Sequence, residues 1–141
     1  MMLDANVARD SDPCAAEIAS EPTTPNAAAS VAVVRHWRAD PPAELAEALR
    51  SSIEEASGHP QPPWDRSAPL IDAVRGWTAH VRTALVVLDQ FEEYFLYHPD
   101  EYGPGSFADA LAQIVNDPAL RVHVLISLRE DALSQLDRFK A

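Results

Sequence analysis

Five apolar residues in a row, Ala84, Leu85, Val86, Val87 and Leu88, run directly into the acid Asp89. The run is too short to span a membrane. Its β-branched content predicts a strand of a parallel sheet, buried on both faces. Asp89 then stands at the strand's carboxyl end, which in open α/β sheets faces the ligand crevice. A carboxylate fixed there can hold a hydrated Mg²⁺ that also touches substrate phosphates, because Mg²⁺ takes one or two carboxylates and keeps several waters. Glu92 and Glu93 follow within reach, and one of them could orient or deprotonate an attacking water. A plainer reading competes with this one. Asp89 caps a helix starting at Phe91, and the two glutamates complement that helix's dipole.

The flanking pattern supplies a sheet for this strand. Val31–Trp37 is a second expected strand, with its apolar block at Val31, Ala32, Val33 and Val34. Asp40 caps a helix that tolerates Pro41 and Pro42 in its first turn. Leu45, Leu49 and Ile53 give that helix one buried stripe, and Gly58 stops it. Residues 58–67, GHPQPPWDRS, form a proline-rich connection. From Ala68 onward, Leu70, Val74, Trp77 and Val81 share one helical face. Residues 31–89 thus read as strand, helix, connection, helix, strand, the long crossover that parallel strands require.

Beyond Asp89, Phe91 and Phe95 lie one turn apart on a short helix, and residues 98–105 are loop. Ser106 caps the next helix, with Asp109 in the reciprocal position of a capping box. Phe107, Leu111, Ile114 and Val115 form its apolar face. A third strand, Arg121–Leu128, leads into Arg129, Glu130 and Asp131 and a last amphipathic piece with Leu133 and Leu136. His123 in that strand reads as a packed core histidine. Residues 1–30 carry no helical or strand period and read as a disordered arm; residues 31–141 form the folded unit.

Charge and residue usage exclude several classes. With 22 acidic side chains against 11 Lys and Arg, the net charge is −11, which argues against duplex nucleic acid and membrane surfaces as partners. One cysteine, Cys14, permits neither a disulfide framework nor a cysteine-based zinc site. No membrane-length apolar run or export leader is present, so a cytoplasmic protein is expected. The histidines at 36, 59, 80, 98 and 123 make no HExxH or similar spacing, and no GxSxG elbow occurs. Glu92 and Glu93, adjacent on a helix, point to different sides and do not make a glycosidase pair.

Two successive strands, one ending LVVLDQFEE and the next VLISLRED, resemble the Walker B and sensor-1 strands of the STAND class of P-loop NTPases. The match is nearest to the novel STAND NTPase domains of bacterial signalling proteins. The upstream VAVVRHWRADPPAELAEAL is similar to the strand and helix between P-loop and Walker B in that family. The resemblance covers about residues 31–140. It implies an α/β fold, a partial P-loop NTPase three-layer sandwich with a parallel sheet, in which three strands are present and the P-loop strand is missing. It implies ATP and Mg²⁺ as ligands of an intact parent, with Asp89 as the Mg²⁺-associated acid. Glu92 and Glu93 match the acidic pair that includes the catalytic Glu. Arg129 matches the sensor arginine that would read the γ-phosphate. Outside the family, Arg129 reads as a surface arginine paired with Glu130 or Asp131.

The same resemblance calls for a P-loop ahead of Val31, whose chemistry needs glycines, a Lys and a Ser or Thr. Residues 1–30 contain no glycine, and Lys140 is the only lysine in the sequence. Gly103-Pro104-Gly105-Ser106 has no Lys after it and reads as a turn before a capped helix. The family's strand order would leave strand 121–128 with an open edge where the P-loop strand belongs. The expectation is the middle of a STAND ATPase core that turns over no ATP alone. The alternative is an interaction module, or half of a split ATPase, whose open edge takes a strand from a protein partner.

Overall fold

The computed structural model describes residues 28–101 and 103–139. Of the expected arm, only residues 28–30 fall among them. The chain runs through strand β1 (Ala29–Val34), helix α1 (Pro41–Ser57), helix α2 (Leu70–Thr78) and strand β2 (Thr83–Leu88). Helix α3 (Glu92–Tyr97), helix α4 (Phe107–Asn116), strand β3 (Val122–Ile126) and a 3-10 segment (Glu130–Phe139) follow. The strands form one parallel sheet in the order β1-β2-β3. This is the α/β arrangement expected from the alternation of apolar runs and amphipathic stretches. β2 is central, and β3 lies at an edge with β2 as its only partner among the described residues.

Local chemistry fixes the helix ends. The Asp40 carboxylate accepts from Ala43 N at 3.3 Å ahead of Pro41 and Pro42, and Gly58, at φ 74°, closes α1 with its N–H on Glu54 O. Ser106 Oγ accepts from Asp109 N at 3.1 Å at the start of α4. The Asp109 carboxylate returns to Gly105 N rather than to the cap residue itself. Two indole N–H groups pin the proline-rich connection: Trp77 Nε1 donates to Pro62 O and Trp64 Nε1 to Ala68 O.

Burial follows the strand period of two, on one face only. Ala32 and Val34 on β1, Ala84, Val86 and Leu88 on β2, and Val122 on β3 are buried, together with Leu45, Leu49 and Ile53 of α1, Leu70, Val74 and Trp77 of α2, and Phe107, Leu111 and Ile114 of α4. The described helices thus form one layer against this face. The alternate residues tell the opposite story: Val31 is 58% exposed, Val33 39% and Leu125 57%, while Leu85 and Val87 are half-covered. The expectation of a run buried on both faces therefore holds for one face. An apolar pentad fixes a strand but does not say how many layers cover it.

Several smaller expectations are corrected. His123 is exposed on the open face and is not a packed core histidine. β1 begins two residues earlier than Val31 and ends at Val34, so Trp37 leaves the strand, although it is buried. Val115 and Leu133 are exposed, because Phe107, Leu111 and Ile114 already fill the inward face of α4 and the 3-10 segment packs mainly through Ala132 and Leu136. Val81 is buried but lies beyond the end of α2.

One-sided burial has a direct consequence for stability. Truncating Ile53 to Ala leaves a cavity under the covered face and should cost about 2–5 kcal/mol. Val33→Thr, on the open face, should stay within about 0.5 kcal/mol. Urea unfolding of the two variants checks both values.

Candidate functional site at the carboxyl edge of the sheet

The register pairs Val34 with Leu88 and Leu88 with Ile126, so the three strands end level. The residues that follow these three, Arg35, Asp89 and Ser127, open the carboxyl edge. Main-chain bonds continue past the last pairs: Asp89 N donates to Val34 O at 2.9 Å, Ser127 N to Leu88 O at 2.9 Å, and Phe91 N to Ser127 O at 2.8 Å. The turn after β2 is therefore stitched to both neighbours.

Asp89 is held by its backbone rather than used as a cap. Trp37 Nε1 donates to Asp89 O at 2.8 Å. Helix α3 starts at Glu92 with Phe91 in the cap position and no side-chain cap bond, so the reading of Asp89 as a helix cap is overturned. Gln90 between them sits at φ 55°, a left-handed conformation that side chains other than glycine rarely adopt. This kink turns the chain from strand to helix within three residues. It leaves the Asp89 side chain 32% exposed, with Oδ2 3.3 Å from Arg35 Nε.

An aromatic cluster supports the turn from below. Trp37 meets Phe91 edge-on at 4.9 Å and Phe107 at 5.8 Å, and Phe91 stacks on Tyr94 at 5.3 Å. The Tyr94 hydroxyl is bonded to the Glu101 carboxylate, and His98 Nε2 lies 2.6 Å from Trp37 O. The residue whose indole grips Asp89 is thus itself held at its main chain and by edge contacts with neighbouring rings.

Glu92 ties the third strand to this turn: its Oε1 accepts from Arg129 N at 3.1 Å. Glu93 is half-buried beside it. The Arg129 guanidinium points along its own segment and makes two bonds to Asp131, at 3.0 and 3.3 Å, with the arginine side chain 72% exposed. This is the pairing expected of a surface arginine. The Arg129 cation holds the Asp131 carboxyl below the usual carboxylate range, first through the hydrogen bond and then through charge. The structure therefore brings Asp89, Glu92, Glu93 and Arg129 to one edge, with Glu92 joined to Arg129 through main chain and the Arg129 head engaged elsewhere.

Chemically the edge offers oxygen donors on a fixed frame. Among the described residues no group of three or more His, Cys, Asp or Glu side chains could hold a metal ion by itself. A carboxylate such as Asp89, partly exposed and with no described residue bonded at Oδ1, has the chemistry of a ligand to a hydrated Mg²⁺ rather than to a caged metal. Gly103 and Gly105, both at positive φ, form the expected turn before α4, and the Gly105 N–H is taken by Asp109, whose charge would repel phosphate. Two clefts of about 430 and 390 Å³ open elsewhere, along the proline-rich connection beside α2 and α4.

A family model described as Novel STAND NTPase 1 matches residues 14–141. The chain belongs to this family. A search of curated proteins and a search of solved structures each returned no match. The STAND NTPase match begins at residue 14, ahead of the boundary expected at residue 30, and covers every element of the sheet. No helix among the described residues of this family member is long and apolar enough to cross a membrane. Two residues of its carboxyl edge escaped the sequence reading, Arg35 and Trp37. Arg35 carried the signal that marked Asp89, a charged residue directly after an apolar strand. Trp37 carried none, because its role is a long-range bond to a main-chain oxygen.

That bond is open to test. Trp37→Phe keeps most of the ring packing and leaves the part-buried Asp89 carbonyl without its donor, for an expected loss of roughly 1 kcal/mol. Chemical denaturation measures the loss, and amide exchange at Gln90 and Phe91 should accelerate with it.

Proposed function

We propose that the carboxyl edge of this sheet is the acidic half of an ATP–Mg²⁺ site in a STAND-type signalling ATPase. Asp89 is the metal-associated acid of a Walker B strand. Glu93, with Glu92, supplies the carboxylate that orients the attacking water, and Arg129 is the sensor arginine. Its head turns from Asp131 to the γ-phosphate when nucleotide arrives. The observation that carries this reading is the rigid mounting of Asp89 at the level carboxyl ends of three parallel strands, with Glu92 clamped to the backbone of Arg129. Family membership supports it.

Mg²⁺, held by Asp89 and water, would neutralise charge on the phosphates when bound. The chain's own residues hold and orient: the Trp37 indole fixes the Asp89 main chain, and the Glu92 bond sets where Arg129 starts. The phosphate-binding loop, with its glycines and lysine, comes from outside these 141 residues. It is supplied by the parent polypeptide or by a partner whose strand pairs with the edge of β3 that no described residue pairs. The protein acts in the cytoplasm as a nucleotide-driven conformational switch.

Calorimetry of the 141-residue chain with Mg-ATP should detect weak binding or none; submicromolar affinity would overturn the split of the site. In the completed ATPase, Asp89→Asn should abolish turnover while leaving assembly intact.

A further inference from the structure

The two ends of the Asp89–Arg35 pair are held very differently. Asp89 is fixed through its main chain on both sides, by Val34 O and by the Trp37 indole. Arg35 hangs from the end of an edge strand with its side chain 66% exposed. It reaches Asp89 through Nε alone, at 3.3 Å, beyond the 2.7–2.9 Å usual for a charge-assisted bond. Its two terminal nitrogens, the fork that grips carboxylates and phosphates best, make no bond to any described residue. The other cation of this edge contrasts with it, since Arg129 engages Asp131 through Nε and Nη2 together. A fixed carboxylate with a loosely seated cation is an arrangement in which one cation can replace another at little cost, because exposed pairs of this kind are weak.

We propose that Arg35 is a tethered counter-cation of Asp89, which a divalent cation displaces when it binds there. It rests on the reading of Asp89 as the metal-associated acid. In the metal-free protein Arg35 neutralises the Asp89 carboxylate at an edge that also carries Glu92 and Glu93. When the divalent cation takes the carboxylate, the guanidinium is released a few ångströms from the same edge, with its fork free for an anionic ligand. Arg35 is a positioning residue that sets the threshold for metal entry.

The test uses the full chain and Mn²⁺ alone, read by selective broadening of the Asp89 and Gln90 amide signals in proton–nitrogen spectra. The same spectra report whether each variant is folded. Arg35→Gln should show the broadening at about threefold lower Mn²⁺ than wild type at low salt, with the difference shrinking as salt is raised. Asp89→Asn and the double variant should both lose it. Equal Mn²⁺ thresholds in wild type and Arg35→Gln, with loss in Asp89→Asn, would overturn the role of Arg35 and leave the metal reading of Asp89 standing. Broadening at Asp89 in neither wild type nor Arg35→Gln, or broadening that survives in Asp89→Asn, would overturn both.

Discussion

Parallel pairing in a single register does most of the positioning in this protein. Because Val34, Leu88 and Ile126 lie side by side, the residues after them arrive at one edge without any dedicated scaffold. Parallel strands demand long crossovers, and here α1, α2 and α4 fill them. Those helices cover the even-numbered face and leave the carboxyl edge open. The chemistry of the edge is thus a by-product of how the sheet is wound, as expected wherever strands of an α/β sheet end together.

A strained turn then gives the edge its shape. Gln90 in the left-handed region is unfavourable in isolation and persists because the residues around it are over-determined. Asp89 is bonded at its N–H and its carbonyl, Phe91 at its N–H, and the aromatic cluster of Trp37, Phe91, Tyr94 and Phe107 fills the space beneath. Apolar packing and a few main-chain bonds together hold one carboxylate in place. The two arginines of this edge remain exposed and are seated differently, Arg35 by one bond to Asp89 and Arg129 by two to Asp131.

The sequence made the elements legible where local chemistry decides. Asp40, Gly58 and Ser106 mark their helix ends as predicted, and the 84–88 pentad marks the central strand with Asp89 at its end. What it hid depends on tertiary context. Nothing in LVVL separates a strand covered twice from one covered once, so the exposure of Val31, Val33 and Leu125 and the place of His123 emerged only with the packing. The role of Trp37 was equally out of reach, since its partner lies 52 residues away. Arg129 is a mixed case. Its position at the end of β3 was readable, but its pairing with Asp131 is a choice among nearby carboxylates that only geometry settles.

Among the described residues, one face of the sheet is uncovered and one edge of β3 is unpaired, and both bear on the proposed split of the site. An apolar sheet surface with no second layer among the described residues, next to a strand edge that none of them pairs, is where further chain would dock. The size of the native species that carries residues 84–131, detected by antibody under non-denaturing conditions in the source cell, tests this most directly. The account predicts a species well above the 15.4 kDa of this sequence, whether as a longer polypeptide or as a complex. A lone species of 15.4 kDa would contradict it.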